Sequence, residues 1–229
     1  MRGYELTNYK TVPLLANIPE DQYDLIRQRV RIFGVAKGEV VFQSGEPASH
    51  MYIVYRGSMK ISNTMADGKE RILYIYHSGD FVGGLNVLSG DYYAYTATAL
   101  TDTVVIPVTK QDFKHYLLKD QNFRLMVLEM SYERIRFSES QVDILSTPNA
   151  DQRVAKVLVH LAMRFGQEEE NGIRLETNLS REELGSYAGL TRETMSRKIH
   201  TFEKNGYLKT FSKGDFLITD LEGLKSRAR

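Results

Sequence analysis

Arg192, Glu193, Ser196 and Arg197 are the residues of this chain best suited to read a hydrogen-bond pattern, and they fall within six consecutive positions. The planar fork of an arginine matches the two acceptors on the major-groove edge of guanine, and a glutamate accepts from the cytosine amino group. Helical spacing gathers the four on one side, while Met195, Ile199 and Phe202 recur on the other. Any amphipathic helix with a solvated charged face would carry similar residues, so the surrounding elements must decide between the two readings.

Those elements form a helix pair. Ser180 is an N-cap residue, and Glu183 completes a capping box three positions on. Leu184, Tyr187 and Ala188 give the first helix an inner face, and Gly189 ends it where a positive φ is wanted. Thr191 caps the second helix. So tight a turn, with the polar face of the second helix free, makes a helix-turn-helix able to enter a major groove. Tyr207–Phe211 and Phe216–Thr219, turned at Lys213-Gly214-Asp215, add a wing. From Leu190 to Lys213 six Lys and Arg stand against two acids, a local +4 that suits phosphate contact, although the whole chain carries only +1.

The preceding chain supplies a long rod and a β-rich body. Residues 122–145 contain neither Gly nor Pro, and Leu125, Leu128, Tyr132, Ile135 and Val142 follow the 3-4 spacing of a coiled-coil seam, which Glu139 interrupts. A second apolar set, Phe123, Val127, Met130 and Phe137, points elsewhere. Two apolar faces predict that one packs on the chain's own domain and the other meets a second copy, giving a homodimer. Thr147-Pro148-Asn149 marks a boundary, because a proline disfavours continuing the helix. Beyond it come an amphipathic helix at Asp151–Phe165, an acidic loop at Gln167–Gly172 and a strand at Ile173–Glu176. The tail, Leu221–Arg229, reads as a frayed helix.

From Arg31 to Val108, β-branched and aromatic runs alternate with glycine turns, and Gly57, Gly68, Gly79 and Gly90 lie 11 residues apart. Such spacing predicts an antiparallel barrel or sandwich. The clearest strands are Glu39–Gln43, Met51–Tyr55, Ser58–Asn63, Arg71–Tyr76 and Thr103–Pro107, with Asp67-Gly68 a tight hairpin turn. Helices are expected at Val12–Val30, where Pro19-Glu20-Asp21 opens a run through Tyr23, Leu25, Ile26 and Val30, and at Asp112–Leu118. The chain has no Cys, which excludes disulfides and thiolate-held iron–sulfur clusters. No apolar run approaches a bilayer span, and Met1–Lys10 lacks a signal-peptide core, so no membrane partner and a cytoplasmic location are expected.

Two stretches together resemble the cyclic-AMP receptor protein/FNR (Crp/Fnr) family of bacterial transcription regulators. One is Gly79-Asp-Phe-Val-Gly, and the other is Leu179-Ser-Arg-Glu-Glu-Leu-Gly followed by Gly-Leu-Thr-Arg-Glu-Thr-Met-Ser-Arg. The resemblance runs from about Pro13 to Thr219. It implies an α+β fold: a sensor β-barrel of the jelly-roll, cyclic-nucleotide-binding type over residues 1–120, a dimerisation helix over 121–146 and a winged helix-turn-helix over 147–229. By the same likeness Glu193 and Arg197 read a G·C pair in each half-site of double-stranded DNA, with Arg192 a third base contact. Ser196, placed as in the FNR branch, points to a TTGA…TCAA-like palindrome. Ser180, Arg181, Thr191, Thr194 and Lys198 match phosphate-contacting positions, and contact with RNA polymerase follows by family analogy.

The sensor departs from the family's best-known members. Cyclic-AMP binders follow the barrel glycine with Glu-Leu and place Arg-Ser about ten residues on, whereas this chain has Gly83-Gly84-Leu85 and then Asp91-Tyr-Tyr-Ala-Tyr-Thr96. Without a cation for the buried phosphate, cyclic AMP is disfavoured. Without Cys, so is an iron–sulfur cluster. No cofactor is therefore assigned. Gly83, Gly84, Leu85, Tyr93, Tyr95 and Thr96 mark the candidate effector pocket, and alternate tyrosines are equally what any half-buried strand carries. His50, His77 and His115 keep a haem-based gas sensor open as the alternative. A cupin-like metalloenzyme finds no His-x-His cluster to hold its metal, so no metal site and no catalytic residue are assigned, and a non-DNA adaptor would leave the Arg-Glu…Ser-Arg face unused.

Overall fold

Strands dominate the first half of the chain because its β-branched and aromatic runs are cut by glycines at positive φ. The computed structural model describes residues 3–5, 9–16, 18–21, 24, 31–212 and 214–229. Tyr23, Leu25, Ile26 and Val30 of the expected first helix, and Lys213 of the wing turn, lie outside the described residues. Contacts divide the chain into two units, residues 1–135 and 136–229, the division falling inside the long helix rather than at Thr147-Pro148.

The first unit contains β1 (Gly3–Glu5), α1 (Pro13–Ala16), β2 (Arg31–Val35), β3 (Val40–Phe42), β4 (His50–Arg56), β5 (Ser58–Thr64), β6 (Glu70–His77), β7 (Phe81–Val82), α2 (Gly84–Ser89), β8 (Thr96–Ala99), β9 (Thr103–Thr109), α3 (Lys110–His115) and the start of α4 (Gln121–Ser146). Among the described residues the expected barrel is not closed. The strands divide into two antiparallel sheets, ordered β1-β2-β9-β4-β7 and β3-β8-β5-β6. The outer strands of the larger sheet are the short β1 and β7, and each pairs only within its own sheet. The jelly-roll character survives as this pair of sheets. They share a core of wholly buried Met51, Ile53, Met59 and Ile61, and Phe42 of β3 stacks on Tyr52 of β4 with ring centroids 5.7 Å apart.

Gly57 is where the chain steps from one sheet to the other. Its φ is +94°, and a Cβ there would lie 2.7 Å from Thr103 Oγ1 and 2.9 Å from the Asp102 carbonyl. No other residue fits that corner.

The second unit holds the end of α4, then α5 (Ala150–Phe165), β10 (Gln167–Glu169), β11 (Gly172–Glu176), α6 (Arg181–Ala188), α7 (Arg192–Lys204), β12 (Leu208–Ser212), β13 (Asp215–Ile218) and α8 (Leu221–Arg227). The expected acidic loop is instead an edge strand: Gln167–Glu169 pair antiparallel with Arg174–Gly172, extending a sheet ordered β10-β11-β13-β12. The tail is a formed helix, its start held by the Asp220 carboxylate accepting from the Gly223 amide at 2.8 Å. Phe137 and Ile144, from the last turns of α4, are buried here, which is why those turns belong to this unit. No helix of the described residues is long and apolar enough to cross a membrane.

Candidate nucleic-acid interface and sensor core

The helix pair is fixed at each end by caps visible in the sequence. Ser180 Oγ accepts from the Glu183 amide at 3.1 Å, and Glu183 returns a bond from the Ser180 amide at 2.8 Å. Gly189, at φ +64°, ends α6, and its Cβ position lies 2.9 Å from Leu145 Cδ2, so a larger residue would strike the end of α4. Thr191 Oγ1 accepts from the Thr194 amide at 3.2 Å and opens α7. Met195, Ile199 and Phe202 are buried, which turns Arg192, Glu193, Arg197 and His200 outward, all exposed, with Ser196 partly so.

The expected phosphate contacts divide. Thr191 is exposed and, with Thr194, lies at the start of α7, while Ser180 lies at the start of α6; both are helix N-termini, whose backbone amides favour anions. Lys198 Nζ already sits 2.9 Å from an Asp151 carboxylate oxygen, so reaching a phosphate means exchanging one anion for another. Arg181 is folded back with its guanidinium 4.9 Å above the Phe216 ring. Burial lowers its pKa, opposed by Glu203. Its Nη1 is buried without a hydrogen-bond partner, so binding phosphate would require it to swing out.

The stripe of α4 expected from its spacing to form a coiled-coil seam is exposed. Leu125, Leu128, Tyr132, Ile135 and Val142 are 50–66 % exposed, large apolar residues on one stripe of one helix.

Of the predicted pocket residues, Gly83, Gly84, Tyr93 and Tyr95 lie against packed aromatic rings, whereas Leu85 and Thr96 do not join them. Tyr93 is buried, its ring 3.8 Å from that of Phe42, and its hydroxyl donates to the His50 carbonyl at 2.5 Å. Gly83, at φ +81°, lets that ring come close: its Cβ would lie 3.1 Å from Tyr93 Cε1. Gly84 lies against the Phe81 ring in the same way. Thr96 Oγ1 accepts from the Ser44 amide at 3.1 Å, while Leu85 faces outward, 41 % exposed. Tyr95 is buried, and beside it lies the residue that sequence reasoning missed. Arg134 reaches from α4 to place its guanidinium carbon 5.3–5.6 Å from the ring centroids of Tyr74, Tyr76 and Tyr95. It donates to the Tyr76 hydroxyl, and to that of Tyr95 at 3.4 Å. Burial drives the Tyr76 phenol well above its ordinary range. The signal was present, since position 134 continues the inward track of 123, 127, 130 and 137.

The three histidines do not converge on one site. His50 is on β4, its Nδ1 2.9 Å from Ser49 Oγ and its pKa lowered by burial against an opposing pull from Asp112. His77 ends β6 in the other sheet, and His115 closes α3 on the Gln111 carbonyl. Among the described residues no group of three or more His, Asp or Glu is placed to hold a metal ion. Nor does the cyclic-nucleotide arrangement fit. The glycine turn faces Tyr93 and Phe81 rings instead of a ribose-binding carboxylate, and Arg134 is held by tyrosine hydroxyls.

Residues 33–120 match the family described as the cyclic nucleotide-binding domain, and residues 152–227 match the Crp-like helix-turn-helix domain. The chain is 29 % identical over 193 residues to the CRP-like cAMP-activated global transcriptional regulator of Mycobacterium tuberculosis, covering 84 % of this chain and 86 % of the relative. It is 28 % identical over 210 residues to the fumarate and nitrate reduction regulatory protein of Escherichia coli, covering 91 % and 82 %. Among solved structures, FixK2 from Bradyrhizobium japonicum superposes with a TM-score of 0.77 at 24 % identity, over 87 % of this chain and 98 % of that one.

Proposed function

The chain belongs to the Crp/Fnr family of transcription regulators, and we propose that it acts as a homodimer on a palindromic, TTGA…TCAA-like promoter site. One observation carries the reading. Arg192, Glu193 and Arg197 are exposed together on a helix whose opposite face is buried and whose start is capped by Thr191. Base readout needs that presentation of forks and acceptors. Ser196 joins them, and Thr191, Thr194 and Ser180 hold the flanking phosphates, with Lys198 and Arg181 joining by giving up the contacts described above. The open α4 stripe supports the dimer, since Leu125 to Val142 offers an apolar seam to a second copy of itself. The dimer sets two recognition helices in successive major grooves.

An effector other than cyclic AMP acts at the sensor, through the Arg134–tyrosine cluster. The protein works in the cytoplasm, and its exposed β10 edge is the surface offered to RNA polymerase. Haem ligation by His50, His77 or His115 is the lesser reading, because those residues lie on three separate elements. The test is selection from a randomised duplex pool, then titration of the selected site at two salt concentrations. A steep salt slope with a palindromic consensus is expected. Equal affinity for selected and scrambled duplexes would refute the reading.

A further inference from the structure

One guanidinium braces the junction between the end of α4 and the recognition helix. Arg153, in the first turns of α5, donates to the Thr147 carbonyl through Nε at 2.9 Å and Nη2 at 2.6 Å. Through Nη1 it reaches the Gly189 carbonyl at 3.2 Å and that of Ala188 at 3.4 Å. Thr147 belongs to the connection that leaves α4, while Ala188 and Gly189 end α6, two residues before the cap of α7. The same connection is tied a second time, by Lys156 Nζ at 2.7 Å from Asp143 and 3.0 Å from Thr147 Oγ1. Val142, 65 % exposed on the seam stripe, lies one turn before this brace. The face that meets a second copy and the face that meets DNA are therefore joined through Arg153 within one unit.

A helix C-terminus attracts any nearby cation, so an Arg against Ala188 and Gly189 alone would be an ordinary cap. Here one planar fork spends its other two donors on a different element. A lysine, with one ammonium point charge, has no fork with which to span both.

We propose that Arg153 is a positioning residue. By locking the Thr147–Asn149 connection to the helix-turn-helix turn, it fixes how the recognition helix is carried on the dimer helix, and so which half-site spacing the dimer accepts. The inference rests on the DNA-binding dimer proposed above. Spacing is a sensitive readout, because one added base pair moves a half-site by about 3.4 Å and turns it by about 35°.

The experiment uses the full chain and TTGA…TCAA duplexes whose spacer is stepped one base pair at a time, beside a randomised duplex pool. Wild type is expected to favour one spacing. Arg153→Lys and Arg153→Ala are expected to lose roughly tenfold at that spacing, the equivalent of one charge-assisted bond, and almost nothing at its neighbours, so that the preference flattens. Variants that keep the wild-type ranking overturn the proposal. So does a uniform loss at every spacing with a lowered melting temperature, which makes Arg153 a folding residue only. If Arg153→Ala fails to fold, the milder Arg153→Lys decides by the same two criteria. Wild type that selects no duplex from either set refutes the helix-pair reading and this inference with it.

Discussion

Replacing Glu139 by Leu should tighten the dimer by about two orders of magnitude. Position 139 follows 125, 128, 132 and 135 and precedes 142 in the 3-4 spacing of the α4 stripe, so in a parallel pair each Glu139 faces its twin. Two carboxylates about 6 Å apart in the partly wet environment of an interface repel by roughly 3 kcal/mol at an effective dielectric of about 20. Leu adds the burial of an apolar side chain, about 1.5–3 kcal/mol per copy before the entropy of ordering it is subtracted. Side-chain relaxation and water relieve part of the repulsion, leaving a conservative gain near 3 kcal/mol, or about 100-fold in Kd. Glu139→Gln keeps the shape and removes only the charge, so it should gain about tenfold. Sedimentation equilibrium across a dilution series reads both. A Leu variant that dissociates over the same concentrations as wild type would show that this stripe is not where two copies meet.

Three further outcomes follow from the interface and its support. Arg197→Ala should cost roughly 1–3 kcal/mol on the selected duplex and relax discrimination at one base pair per half-site, read by competition against single-base variants. Lys198→Ala should lower the slope of log affinity against log salt by about one per half-site, provided the lysine leaves Asp151 for a phosphate; an unchanged slope would keep it as a brace inside its own unit. His160 is held neutral, its pKa pushed down to about 4 by burial and secondarily by Arg164, from an ordinary 6.5. The unfolded chain therefore binds more protons between those two values, and stability is lost as pH falls through that window, by roughly 2–3 kcal/mol in all. Urea titrations at both ends of the window should show that loss in wild type and not in His160→Gln.

What the sequence disclosed and what it hid follow one physical line. The helix-turn-helix was legible because its determinants are local: Ser180 and Glu183 cap one helix, Gly189 ends it, Thr191 caps the next, and each acts on backbone within a few residues. Strand positions from Glu39 to Pro107 were legible for the same reason. Barrel closure was not, because it depends on pairing between edge strands far apart in the chain, which no short-range pattern records. The acidic β10 was mistaken for a loop because Gln167, Glu168 and Glu169 are fully outward and have no strand propensity; only pairing with β11 makes them a strand. Arg153 left no sequence signature, since its partners are backbone carbonyls that any residue supplies. Arg134 did leave one, a charge on the inward track of a helix.

That charge and the apolar stripe occupy one turn of α4 and face different ways. Arg134 packs among Tyr74, Tyr76 and Tyr95, and Ile135, next to it, stands 57 % exposed on the stripe. Neighbouring residues of a helix are fixed about 100° apart, so a rotation that withdraws Arg134 from its tyrosines carries Ile135 round by the same angle. A disturbance of the tyrosines that turned α4 at Arg134 would therefore turn the Ile135 stripe with it. The size of the effect constrains how the switch works. Moving a two-state equilibrium from mostly off to mostly on takes about 5.5 kcal/mol. Loosening one charged hydrogen-bonding cluster supplies roughly 1.5–3 kcal/mol, which is too little for a lone chain. Two copies switching together double it, which brings the sum to the scale required. If the proposed dimer switches through this turn, it would need both copies together and an effector that binds one arrangement of the tyrosines better than the other.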